Sequence, residues 1–500
     1  MGLILSIDQG TTGTTVTVVG ENGQVLGAGY TPVEVSFPQP GWVEQDPEAI
    51  WQSLIGPTRT ALAAAGDQGA DIIAVGITNQ RETIIIWERA TGRPVLPAIV
   101  WQCRRTTEIC RRLAEQGYEP LIADKTGLVL DPYFSATKIQ WALERDSQLS
   151  VRAARGEICA GTVDSWLIWR LSGGRSHITD ASNASRTALL DISSAKWDDQ
   201  LLDALRVPRE ALPEVVPSSG IAAETAETEV LPAGIPIAGI AGDQQAALFG
   251  QGCFARGQAK NTYGTGCFLL LNAGEERPRN IPGILTTIAW LIGERPTYAY
   301  EGSIFIAGAL IQWLRDGLGI IREAAESEAL ARSVPDTAGA YIVPAFTGLG
   351  APHWQPTARG TIVGLTRGTS RAHLARAALE AIAYQVRDLM EAMTAAPQMT
   401  VAELRADGGA AANDFLLQFQ ADITGVAVRR AAVLEATSLG AAYLAGLGVG
   451  MWRTLEEVGA LSRPPRTFEP TMEATQREEL VRGWQRAVDT ALAWARLKGG

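Results

Sequence analysis

The chain has 500 residues, more than one hydrophobic core usually organises, so two or three domains are expected. Hydrophobic residues make up 46% and charged residues 19%, the balance of a soluble globular protein. The net charge of -11 supplies no basic field for nucleic acid or an anionic membrane surface, and no apolar run is long enough to span a bilayer as an integral membrane segment.

The five cysteines are odd in number and match no zinc or CxxC spacing, which reads as buried free thiols in a reducing cytoplasm. The three histidines lie far apart, so a His-based metal site is not expected.

Leu3 to Asp8 reads as a strand, Gln9-Gly-Thr-Thr-Gly-Thr14 as a turn and Thr15 to Val19 as a returning strand. A Gly/Thr turn offers unhindered backbone N–H groups and hydroxyls, a concavity suited to phosphate oxygens. Ile72 to Val75 is another apolar strand, running into Gly76-Ile-Thr-Asn-Gln-Arg-Glu-Thr83. Trp101-Gln-Cys-Arg-Arg105 follows the strand 98–100, and Asp131-Pro-Tyr-Phe134 leads into a helix through Trp141. Such polar-aromatic patches just past strands or at helix starts are where loops carry function. Each has a plainer reading: an ion pair for Arg81 and Glu82, core packing for Trp101 and Tyr133.

The acidic stretch Ala222–Pro232 reads as a surface loop or edge. Next comes Ile235-Pro-Ile-Ala-Gly-Ile-Ala-Gly-Asp-Gln-Gln245, a buried strand with two glycines for a tight turn and Asp243 at its end, before a helix. A carboxylate at the carboxyl end of a buried strand is where open α/β folds place their chemistry; capping the following helix is the plainer role.

Lys260 to Leu271 then repeats the device of the N-terminus: strand, Gly-Thr-Gly turn at Gly264-Thr265-Gly266, strand. The duplication predicts two related units facing each other across a cleft, one presenting Asp8 and Thr11, the other Asp243 and Thr265. The chain holds no Gly-Lys dipeptide, which excludes a Walker A loop, and no GxGxxG after a strand. Glu301 to Asp316 carries a helical apolar pattern that puts Gly308 and Gln312 on one face; Gly409 and Asn413 have the same spacing at another helix start. A glycine with an amide one turn later suits a flat heterocycle. His373 to Met393 reads as a long amphipathic helix, Ser438 to Gly446 as a helix of small residues for close packing, and Thr475 to Lys498 as a charged surface helix.

Taken together, Asp8-Gln-Gly-Thr-Thr12, Gly76–Thr83, Trp101–Arg105, Asp131–Phe134, Gly239–Gly250, Asn261–Gly266, Val343–Pro352 and Asp407-Gly-Gly409 resemble, in this order and nearly end to end, the FGGY family of carbohydrate kinases. The resemblance implies an α/β fold of two duplicated actin-like ATPase (ribonuclease H-like) domains facing a central cleft: residues 1–250, with the polyol side and the first phosphate turn, and residues 251–500, with the nucleotide side. It implies ATP-dependent phosphorylation of glycerol with Mg²⁺, in the cytoplasm, with a homo-oligomer as the expected assembly.

Residue by residue, the resemblance makes Asp243 the general base. Arg81, Glu82, Trp101, Tyr133, Asp243 and Gln244 become the glycerol contacts. Thr11, Thr12, Gly13 and Thr265 become the phosphate contacts, and Gly308, Gln312, Gly409 and Asn413 the nucleotide face. Asp8 and Asp243 become the partners of the metal. A kinase for another polyol or a ketose, or a non-kinase actin-like ATPase, are the competing readings.

Two positions depart from the family pattern. Gly13-Thr14-Thr15 replaces the usual Ser-Ser-Arg, so a cation is missing beside the phosphates, which predicts weaker nucleotide affinity. Ala222–Pro232 has no Lys, Arg or His, so control by a sugar bisphosphate or a phosphorylated His through this segment is not expected.

Overall fold

The computed structural model describes residues 2–66, 71–395, 399–431, 435–461 and 466–497. Among these, thirteen strands join in one continuous sheet. In chain order they are β1 (Leu3–Gln9), β2 (Gly13–Val19), β3 (Val25–Pro32), β4 (Ile72–Asn79), β5 (Ser219–Glu224), β6 (Pro236–Gly242) and β7 (Gln258–Tyr263). They continue with β8 (Cys267–Gly274), β9 (Leu285–Ile292), β10 (Arg295–Ile304), β11 (Glu403–Asp407), β12 (Val428–Arg430) and β13 (Arg466–Phe468). Apolar runs such as Ala74-Val-Gly-Ile77 and Ile237-Ala-Gly-Ile240 form the inner strands because both of their faces are covered.

The duplication expected from the two Gly/Thr turns is present in the topology, but Asp243, expected on the second unit with Thr265, follows β6 of the first because that strand pairs with β4. In the first half the strands lie in the order β3-β2-β1-β4-β6, with β1, β2 and β3 antiparallel and β1, β4 and β6 parallel. In the second half β10-β8-β7-β11-β12 repeats that order and those directions. The fold is therefore α/β with two actin-like units.

The halves meet where β5 pairs antiparallel with β6 and parallel with β9 through Ser219 and Ile292. This corrects one expectation. The start of the acidic stretch, Ala222 to Glu224, is part of an interior strand, held because Ala223 packs into the core beside Ile237, and Val230 and Leu231 are buried as well.

A second correction concerns Glu301. The helical pattern read from Glu301 begins too early: residues 295–304 are strand, and the helix starts at Gly308, as α2 (Gly308–Gln312) continued by a π-helical turn over Trp313–Gly317. Tyr298, Tyr300 and Glu301 are buried between β8 and β9, and tertiary pairing overrides the local apolar spacing.

The helix α1 (Asp243–Gly250) follows β6 directly. It crosses α5 (Ala436–Gly448), the small-residue helix, at Gly440, whose added Cβ would lie 2.5 Å from the carbonyl carbon of Ala246. The long helix α3 (Arg371–Thr394) and helix α4 (Asp414–Thr424) pack within the C-terminal core. The tail helix covers Ala474–Leu497, and Lys498 lies outside the described residues. No described helix is long and apolar enough to cross a membrane.

Candidate active site between the two halves

The parallel strands β1, β4 and β6 deliver the reactive groups side by side. Asp8 is in register with Thr78, and Asn79 with Gly242, so Arg81 and Asp243 emerge just past adjacent carboxyl ends. Gly242 permits this: a Cβ there would stand 2.7 Å from the Arg81 side chain. Gly239 plays the same part against α5, where a Cβ would come 2.6 Å from the Ala441 carbonyl. The two glycines expected to make a tight turn thus serve close packing within a strand instead.

Asp243 opens α1, but Gly242 is its N-cap residue. The Asp243 carboxylate accepts from the N–H of Gln244 (2.7 Å) and faces Arg81, with Nε 3.2 Å from Oδ1. Its side chain keeps 30% of its surface open to the site. Enclosure raises its pKa above the ordinary 3.8, while Arg81 and then Lys260 pull it back.

Arg81 is the centre of a buried charge network. Glu301 grips it with both oxygens, Oε2 at 2.6 Å from Nη1 and Oε1 at 2.9 Å from Nη2. Gln245 accepts from Nη1 at 3.2 Å and the Tyr133 hydroxyl from Nη2 at 3.5 Å. Glu82, the sequence neighbour, is only a distant partner at 3.9 Å; its carboxylate accepts from Nε of Arg186 at 2.7 Å instead. Arg186 also donates to Glu301 Oε1 at 3.1 Å. Burial works against every charge here. It lowers Arg81, but Glu301 and then Glu82 more than reverse that; it raises Glu301, but Arg186 and Arg81 hold that carboxyl down to about 2. Glu82 adopts a left-handed backbone with φ of 60° while buried, strain of about 1–3 kcal/mol that only a well-determined site retains.

Trp101 bridges two groups that the sequence assigned separately. Its indole N–H donates to the Thr11 hydroxyl at 2.9 Å, and its ring meets Tyr133 edge-on at 5.6 Å. Contacts thus run unbroken from Asp243 through Arg81, Tyr133 and Trp101 to the first phosphate turn. Gln244 reaches the other half by accepting from the buried Lys260 ammonium, which also lies 3.0 Å from the Thr262 hydroxyl. Thr12 is exposed at the turn, whereas Gly13 is buried under the ring of Tyr30.

The second turn, Gly264-Thr265-Gly266, packs against the start of α2. The N–H groups of Ala307 and Ala309 donate to the Thr265 carbonyl, and that of Gly308 to Gly264. The side of Gly409 is open, with nothing within 4 Å of an added Cβ, while Gly408 at φ 85° presses on the backbone of Tyr263. Gln312 is exposed on α2, one turn beyond Gly308. Asn413 uses its Oδ1 to cap α4 through the Leu416 N–H.

Residue models for both halves of a known family fit this chain: the N-terminal domain of the FGGY family of carbohydrate kinases over residues 3–250 and its C-terminal domain over residues 259–449. The chain belongs to the FGGY family of carbohydrate kinases. This FGGY chain is 54% identical to glycerol kinase 2 of Thermotoga maritima and 56% identical to the glycerol kinase of Aromatoleum aromaticum, in both cases across 99% of each chain. It superposes on the crystal structure of Plasmodium falciparum glycerol kinase with ADP at a TM-score of 0.93, 36% identity and 98% coverage of each chain.

Asp8 fits a cation partner. Its side chain makes no hydrogen bond or ion pair among the described residues, and burial, then Asp243, then Glu435 push its pKa up to about 8. A carboxyl crowded by burial and two other acids is relieved by a divalent ion. Four residues of this buried network escaped the sequence reading in any functional role: Arg186, Gln245, Lys260 and Glu301. The available signal was charge inside strands otherwise made of buried residues, at Lys260 and Glu301.

Proposed function

We propose that this kinase transfers the γ-phosphoryl group of ATP to a terminal hydroxyl of glycerol, yielding sn-glycerol 3-phosphate and ADP. The observation that carries this reading is the Arg81 guanidinium fixed between Asp243 and Glu301, with Tyr133 beside it and Trp101 continuing to Thr11. Glycerol offers little apolar area, so its recognition depends on buried donors and acceptors that the wrong ligand leaves unpaired, a discrimination worth about 10⁴–10⁵. Arg81, Glu82, Tyr133 and Gln244 bind its hydroxyls, and Trp101 lies along its carbons.

Asp243 takes the proton from the attacking hydroxyl. The freed oxygen attacks the γ-phosphorus, and the bond to the ADP oxygen breaks as the new P–O bond forms. Thr11, Thr12, Gly13 and Thr265 hold the phosphates, and Gly308, Gln312, Gly409 and Asn413 face the base and ribose. Asp8 and Asp243 would hold Mg²⁺, which neutralises phosphate charge when bound. The same reading divides the chain into a polyol domain of residues 1–250 and a nucleotide domain of residues 251–500. It has the enzyme work in the cytoplasm, as a homo-oligomer; five buried free cysteines accord with a reducing compartment.

The test is coupled ADP release with glycerol, dihydroxyacetone, xylulose and ribulose as acceptors. A preference for glycerol in kcat/KM is expected. ATP consumption indifferent to every acceptor would overturn the reading.

A further inference from the structure

We propose that Glu301 is a positioning residue for the acceptor site: a carboxylate from the C-terminal half that clamps Arg81 of the N-terminal half, so that the polyol-binding fork is complete only with the two halves together. The inference rests on the glycerol reading above and goes beyond it, because Glu301 belongs to neither the acceptor nor the nucleotide set.

The geometry is specific. Glu301 sits in β10, paired with Leu270 on one side and Leu285 on the other, and is fully buried, so its own position is fixed by two neighbouring strands. It meets Arg81 with two nearly parallel N–H···O bonds, 2.6 and 2.9 Å long, a fork-to-fork pairing that fixes the plane of the guanidinium as well as its distance. Arg81 is a long side chain with a large rotamer entropy, and it cannot hold that plane alone. Arg186 steadies Glu301 in turn through Oε1 and ties it to Glu82, the other acceptor residue. One carboxylate therefore orients two residues of the opposite half.

The clamp also sets how the Arg81 guanidinium stands against Asp243. Arg81 Nε lies 3.2 Å from Asp243 Oδ1, while Glu301 occupies both terminal nitrogens. Without Glu301 the terminal nitrogens are free to swing to Asp243. A bidentate pair there would turn the guanidinium out of the plane in which it meets Tyr133 and Gln245. A carboxylate that merely bolts the halves together would affect folding and both substrates alike; a clamp on Arg81 affects the acceptor selectively.

The test uses the full-length protein in coupled ADP release. Wild type must first show glycerol-dependent turnover; failure there counts against the glycerol reading and leaves the clamp to be judged with whichever acceptor is used. With turnover established, Glu301→Gln is expected to raise the glycerol KM about 10–100-fold, the loss of one charged hydrogen-bonding partner, with the ATP KM within about 3-fold. Glu301→Asp, which retains the charge one methylene further back, gives an intermediate glycerol KM. Should Glu301→Gln not fold, Glu301→Asp decides: a selective rise in glycerol KM of about 3–10-fold with the ATP KM unchanged is expected. An unchanged glycerol KM, equal rises for both substrates, or a fall in Tm alone with wild-type kinetics would overturn the proposal.

Discussion

The Nε–H of Arg81 lies 3.2 Å from Oδ1 of Asp243, at the ends of adjacent parallel strands of one half, while the two terminal nitrogens of the same guanidinium are held by Glu301 of the other. One side chain therefore touches the proposed base and spans the junction between the halves. Asp243 is raised above the usual aspartate value yet remains restrained by this cation. Asp243→Asn preserves the shape and the Arg81 contact but removes the proton acceptor. Turnover should fall roughly 10²–10⁴-fold while calorimetry shows glycerol binding within a few-fold of wild type. In wild type, kcat/KM should decline toward acid with a midpoint above 3.8, because only the ionised carboxylate accepts the proton. Substantial turnover by the variant would assign the proton elsewhere.

The first phosphate turn is built around Tyr30. Asp8, Thr15 and Tyr30 are cross-strand neighbours in one row. The Tyr30 ring, 60% exposed, leans over Gly13, and its hydroxyl donates to the Thr12 carbonyl at 3.1 Å. A Cβ at Gly13 would stand 2.5 Å from the ring carbons. Gly13→Ser should therefore displace the turn and raise the ATP KM several-fold, and Gly13→Ser with Tyr30→Ala should recover most of the loss in a double-mutant cycle. Equal effects in the presence and absence of Tyr30 would dissociate the two residues.

Thr15 stands beside Asp8, at the position where the family resemblance implies an arginine. Thr15→Arg puts a cation next to the phosphate turn and should lower the ATP KM, with the glycerol KM unchanged. Steady-state kinetics at fixed ionic strength checks this; an unaltered ATP KM and turnover would show that the missing cation costs nothing.

The crossing of α1 on α5 sets the position of Asp243 from behind. Gly440→Ala forces a methyl onto the backbone of Ala246, and overpacking of this kind costs about 1–3 kcal/mol. Denaturant unfolding should register that loss. Gly459→Ala is the control, since its nearest neighbour would be 3.6 Å away. Equal stability of the two variants would mean that the helix crossing relaxes freely.

His177 predicts an acid sensitivity unrelated to catalysis. Burial first, and then Arg89, lower it from 6.5 to about 3, and its Nε2 has no hydrogen-bond partner. Below pH 6.5 the unfolded chain takes up a proton that the folded chain refuses. The contribution is therefore full above pH 6.5 and is lost as pH falls toward 3, reaching about 2 kcal/mol at pH 5. His177→Phe, which retains a ring against Trp87 (5.1 Å between centroids), should flatten stability against pH by up to one proton in this window. An unchanged slope would place the titration on other groups.

The sequence alone determined the parts that short-range chemistry dictates. Strand, Gly/Thr turn and strand recur at Leu3–Val19 and Gln258–Gly274, and both hairpins are present. Asp243 could be placed at a strand end because a β-branched run and a helix start flank it directly. Only tertiary structure decided which charges belong together. Arg81 and Glu82, adjacent in sequence, take their main partners from residues 301 and 186, because alternate side chains leave a backbone in different directions and a buried charge pairs with whatever opposite charge shares its cavity. The same reason hid Glu301: its local apolar spacing reads as helix, and only two flanking strands make it the buried end of a clamp.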